Sequence, residues 1–134
     1  VTPDPPREVL AWGDVGVATR ELAQRIADDG FEPEAVIAIA RGGLLVAGAL
    51  ADALGVKRCG PIDVELDTGV DPTLPEPPRL AVEILTTMGA EVRSACLSAK
   101  PQTVFAPDWT WKETDRWIVF PWSAESPVVG TAGR

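Results

Sequence analysis

The chain has 134 residues, 46% of them hydrophobic, which suits one folded domain with one core and excludes wholesale disorder. Acidic residues number 20 against 12 basic ones, and the net charge of −8 excludes the broad basic face that holds nucleic acid. With no histidine, Ser-His and Cys-His catalysis is excluded and a zinc site disfavoured, and Cys59 and Cys96 stand in no metal-type spacing.

The N-terminal stretch Val1–Arg7 is proline-rich and acidic, unlike a signal peptide. No apolar run approaches the roughly 20 residues a membrane span needs. The expectation is a cytoplasmic protein with reduced thiols and no membrane partner. Val15, Ala18, Thr19, Leu22 and Ile26 recur at helical spacing, with Arg20, Glu21, Arg25 and Asp28 on the other side. That pattern predicts a surface helix, with Asp14 as its N-cap and Gly30 as its stop.

Val36–Ala40 is continuously apolar and β-branched, the composition of a strand buried on both faces of a parallel sheet. Arg41-Gly42-Gly43 follows at once, then a helix over Leu44–Leu54 whose small residues Ala47, Gly48, Ala49 and Ala51 would let it lie close on the sheet. Gly55 ends it. Strand, glycine turn and helix make half of a βαβ unit. Ile62–Leu66 is predicted as a second strand, and Asp67–Pro78, with its four prolines, as a long exposed loop. Val82–Met88 reads as a helix closed by Gly89, Val92–Ala99 as a strand, and Arg116–Phe120 as a last short strand. Ser123–Arg134 is expected to be a loose tail. The fold class is therefore α/β, an open, mostly parallel twisted sheet flanked by helices, in one domain over residues 1–134.

The turn after the first strand is the most chemically suggestive stretch. Glycines there admit backbone conformations closed to other residues and let a ligand approach. The helix that follows aims free N–H groups and its positive dipole end at the same spot. Arg41 adds a planar fork of donors suited to phosphate oxygens. The plain alternative is a tight turn with a solvated arginine. It is neither a Walker loop nor a dinucleotide fingerprint, since Lys-Ser/Thr and the third glycine are both absent.

Four stretches, in order, give the chain its resemblance. They are Leu10-Ala11-Trp12-Gly13-Asp14 with the helix after it, Val36–Gly43 with Leu44–Gly55, Ala99-Lys100-Pro101, and Asp115-Arg116-Trp117-Ile118-Val119-Phe120-Pro121-Trp122. Together they resemble the type I phosphoribosyltransferases, most closely the bacterial xanthine-guanine enzymes. The resemblance implies a glycosyltransferase of purine salvage that joins a 6-oxopurine to phosphoribosyl pyrophosphate, with Mg²⁺ assisting. It implies pyrophosphate binding by Arg41, Gly42 and Gly43, a Lys100 that donates to the purine O6, a Trp117 that covers the base and an Ile118 whose backbone meets its edge. Asp67–Pro78 would belong to a hood loop, and the protein would be a homodimer or homotetramer. In plainer terms, Lys100 is a solvated strand end and Trp117 a packing residue. Trp109 and Trp111 alternate as strand neighbours do and read as core or subunit contacts, while Asp28, Asp29, Glu32 and Glu34 read as solvated surface.

One part of the family pattern is absent. An apolar strand ending in two acidic residues, then a loop of small hydroxyl and glycine residues, should stand between Leu80 and Val82. Losing a central strand would bare two sheet edges and an apolar face. The expectation is accordingly that a segment is missing near residues 80–81 rather than truly deleted. Three readings stay open: an active enzyme, a catalytically silent relative that binds purine or nucleotide and acts through a partner, and an unrelated α/β domain.

Overall fold

The computed structural model describes residues 6–63, 77–99, 101 and 105–130. In chain order the elements are β1 (Arg7–Val9), α1 (Trp12–Asp28), β2 (Ala35–Ile39), α2 (Gly43–Leu54), β3 (Arg58–Ile62), α3 (Pro77–Thr87), β4 (Ala95–Ala99), β5 (Trp109–Glu113) and β6 (Trp117–Val119), then a 3₁₀ turn at Pro121–Ser123.

Helix α1 buries Val15, Ala18, Thr19, Leu22, Ala23 and Ile26, the face its periodicity predicts. It starts earlier than predicted. Ala11 is the N-cap, and Asp14 sits in the first turn, where its carboxylate accepts the Ala11 N–H at 2.8 Å. An acid there also meets the positive end of the helix dipole. At the other end Gly30 takes φ 75° and its N–H donates to the Ala27 carbonyl, which makes it the stop the sequence predicts. Leu22, fully buried, is the centre of the core.

Every strand pair among the described residues is parallel. β2 pairs with β3 in the register Ala35↔Arg58 to Ile39↔Ile62, with α2 as the crossover. β4 pairs with β5, and β1 with β6. The α/β class and the parallel order are as read from the sequence, and among the described residues the hydrogen bonding joins the strands in three pairs. β2 is consequently less buried than its composition predicts: Ala38 is enclosed, while Ala35 is exposed and Ile37 is 43% exposed. One neighbouring strand and α2 cannot cover both its faces and both its edges.

The other differences have local causes. β3 begins at Arg58 rather than Ile62, with Gly60 and Pro61 within it, and 64–66 of the predicted strand lie outside the described residues. Proline lacks an N–H and is tolerated where a strand needs no donor on that side. Helix α3 begins at Pro77, not Val82, since the first turn of a helix makes no use of the N–H that proline lacks. Residues 80 and 81 are thus consecutive within α3, and 67–76 of the predicted loop lie outside the described residues. Of the four small residues of α2, Ala47 and Ala51 are buried while Gly48 and Ala49 face out. Gly55 takes φ 71° and closes that helix as predicted.

The core joins Leu10, Val15, Ala18, Leu22, Ala23, Ile26, Leu50 and Leu97, with Trp109, Trp111, Ile118, Phe120 and Trp122 packed around it. Trp109 and Trp111 point to one face, as their alternation predicts, and that face is α1. Their indole N–H groups donate to Asp29 and Glu21 respectively, each at 2.6 Å. Asp29 is therefore a partner, not only solvated surface. Arg25 also reaches β5, donating to the carbonyls of Thr110 and Trp111 at 2.5 and 2.9 Å. β5 is tied to α1 by three side chains that the sequence places on a solvated face.

Candidate active site

The strand-to-helix junction of the βαβ unit is short. β2 ends at Ile39, the Ala40–Arg41 peptide is cis, Gly42 is the N-cap and α2 begins at Gly43. The Ala40 N–H donates to the Ile62 carbonyl at 3.1 Å, which holds the junction against the end of β3. The Leu44 N–H donates to the Arg41 carbonyl at 3.0 Å. The remaining N–H groups of this first turn have no partner within the helix and face the site with the positive end of its dipole.

The two glycines serve a different purpose from the one their composition suggests. Gly42 has φ −55° and Gly43 is not among the positive-φ glycines, so neither needs a conformation closed to other residues. What they provide is bareness. A Cβ on Gly42 would meet nothing within 4 Å, and one on Gly43 would make only ordinary contact with Ala38 and Ile39, at 3.9 to 4.0 Å. The space above the turn is open to a ligand. Arg41 is exposed, and its side chain makes no hydrogen bond or ion pair among the described residues.

Of the residues assigned to the purine, Lys100 lies outside the described residues, between Ala99 at the end of β4 and Pro101. Trp117 is 57% exposed on β6. Its N–H donates to the Pro6 carbonyl, and the Val119 carbonyl accepts the Leu10 N–H. Backbone groups alternate sides along a strand, so Ile118, between them, turns its N–H and C=O away from β1. Its side chain packs against the core. Trp12, Phe120 and Trp122 form an aromatic cluster beside it, with Phe120 and Trp122 stacked at 4.7 Å.

A cavity of about 570 Å³ lies elsewhere. It is lined by the C-terminal ends of α1 and α2 and the starts of β2 and β3, opposite the Arg41 turn. Ligands of open α/β sheets bind at the carboxyl ends of the strands, the end of β2 at which the Arg41 turn stands. Among the described residues no group of three or more His, Cys, Asp or Glu could hold a metal ion.

A purine phosphoribosyltransferase from Pyrococcus horikoshii is 31% identical to this chain, with 93% of this chain and 99% of that one covered and a TM-score of 0.77. The chain belongs to the type I phosphoribosyltransferase family. A second phosphoribosyltransferase, the xanthine-guanine-hypoxanthine enzyme of Helicobacter pylori, shares the fold at 17% identity, with 87% and 94% of the two chains covered and a TM-score of 0.74. A hypothetical protein from Neisseria gonorrhoeae with bound ppGpp shares it too, at 17% identity, 90% and 91% coverage and a TM-score of 0.65. No family model and no curated protein matches. In this member of the family no helix among the described residues is long and apolar enough to cross a membrane.

Proposed function

We propose that the protein is a purine phosphoribosyltransferase that converts a 6-oxopurine and phosphoribosyl pyrophosphate to a nucleoside monophosphate and pyrophosphate. The observation that carries this reading is Arg41, with no side-chain partner among the described residues, at the bare head of α2 in a chain 31% identical to a purine phosphoribosyltransferase. A nitrogen of the purine's five-membered ring attacks C1 of the ribose, that ring's N–H proton passes to water, the bond from C1 to the pyrophosphate oxygen breaks, and that oxygen keeps the electron pair. Negative charge grows on the leaving group where Arg41 and the first-turn N–H groups stand ready, and fixed donors of that kind need no rearrangement as the charge develops.

Lys100 would donate to the purine O6 and so favour 6-oxopurines, because an ammonium facing an amino group goes unpaired. Trp117 would cover the base, and the outward backbone of Ile118 would meet its edge. A strand ending in two acids, with its phosphate loop, would belong near residues 80–81. The exposure of Ile37 and the separation of the strands into three pairs support that assignment, because a further strand would cover what they leave bare.

The test is direct. Guanine, xanthine or hypoxanthine with phosphoribosyl pyrophosphate and Mg²⁺ should yield the nucleotide. Binding without turnover would instead favour a silent relative, a reading supported by the missing acid pair and by the ppGpp bound to the Neisseria protein of the same fold. Neither turnover nor binding refutes both.

A further inference from the structure

The residues assigned to the base stand on two different strand pairs. Trp117 and Ile118 belong to β6, paired with β1, while β4, paired with β5, runs up to Lys100. Among the described residues no ladder hydrogen bond joins one pair to the other. Packing leaves a gap between them as well: a cleft of about 280 Å³ is lined by Glu8 and Val9 of β1, Asp14 and Val17 of α1 and Trp111 of β5. An ion pair spans from one strand pair to the other. The Lys112 ammonium of β5 donates to the Glu8 carboxylate of β1. Register places both ends near the base, since Glu8 stands opposite Ile118, and Lys112 opposite Ser98, two residues before Lys100. Glu8 is the inward residue of β1, flanked by exposed Arg7 and Val9, and its side chain is only 20% exposed. A carboxylate so shielded needs a partner, and among the described residues that partner is Lys112.

We infer that Glu8 and Lys112 are positioning residues for the purine: their ion pair holds the strand that bears Trp117 and Ile118 against the strand pair that leads to Lys100. This rests on the purine reading above and extends it to two residues that touch no substrate. A base gripped from two sides binds well only while the grips keep their spacing, and a displacement of about 1 Å is costly. With the ion pair broken, the shielded charge left behind is drawn toward water, and a shift of β1 carries β6 with it through the ladder. The Arg41 turn joins β2 to α2, outside both strand pairs, and keeps its place.

Steady-state kinetics of the full chain with guanine, xanthine or hypoxanthine and phosphoribosyl pyrophosphate, beside thermal unfolding of the same proteins, test it. Glu8→Gln and Lys112→Met should each raise KM for the purine about threefold to tenfold, while KM for phosphoribosyl pyrophosphate stays within about twofold. Lys112→Arg, which keeps the charge, should behave as the native chain. The double variant Glu8→Gln/Lys112→Met should lose no more than either single one, since the same interaction is removed only once. If the single variants lose stability with both KM values unmoved, or raise both equally, the pair is a fold contact and positions nothing. Losses that add in the double variant, or a Lys112→Arg as impaired as Lys112→Met, overturn it too. If the native chain turns over no purine, the proposed function falls and this assignment with it, whereas an active native chain with indifferent variants overturns the assignment alone.

Discussion

Arg41 gives up little by standing unpaired, because an exposed ion pair contributes only about 0–1 kcal/mol. Its removal should therefore leave folding within about 0.5 kcal/mol of the parent, while costing one charge-assisted contact of about 1.5–3 kcal/mol in the complex. Steady-state kinetics of Arg41→Ala should show KM for phosphoribosyl pyrophosphate raised about tenfold to a hundredfold with KM for purine little changed. Lys100→Ala should do the reverse. Damage to both substrates equally would count against the two assignments. Cys96 makes a different prediction. Burial raises its thiol pKa above the ordinary 9.0, opposed in part by the Thr110 hydroxyl. The folded state then holds its proton more tightly than the unfolded chain, so the stabilisation is full below pH 9 and is lost as pH rises through the folded pKa. Denaturant titrations should show stability falling above pH 9 in the parent and a shallower fall in Cys96→Ala.

Helix α1 is the element on which the rest is assembled, since it meets α2, β4 and β5 and places Leu22 fully out of solvent. Leu22→Ala should cost about 2–5 kcal/mol in chemical denaturation, the range for cavities in well-packed cores. Gly55→Ala, by contrast, would meet no atom within 4 Å but must hold φ 71°, so a loss of about 1 kcal/mol or more is expected from backbone conformation alone. The legibility of these elements follows from where their determinants lie. The α1 stripe and the glycine stops at Gly30 and Gly55 are local, and the sequence displays them. Prolines misled at both Pro61 and Pro77–Pro78, because a proline that breaks one context is accepted at a strand edge or in the first turn of a helix. The Arg41-Gly42-Gly43 turn was legible from its place after an apolar strand. The roles of Glu21, Arg25 and Asp29 were not, because their partners on β5 lie some 80–90 residues away.

At the scale of the whole molecule two features pull against each other. A net charge of −8 repels a polyanion, yet the Arg41 turn presents a local positive field, so diphosphate should bind and duplex DNA should not, as a filter-binding comparison at low salt would show. The second tension is apolar. Ile37 on β2, Leu44 and Leu45 on α2, Ile84 on α3 and Met88 just after it are all more than a third exposed. Covering such surface is worth about 25 cal/mol per Å², and the whole margin of a domain is about 5–15 kcal/mol. A further strand beside β2 would bury Ile37 and satisfy the strand edge together. The protein made from its natural gene should therefore show an intact mass above 14.2 kDa, with turnover and little binding of a dye that reports exposed apolar surface. A mass of 14.2 kDa joined to full turnover would overturn the view that the acid-bearing strand is needed. The same mass with strong dye binding and no turnover would identify the chain as the silent relative.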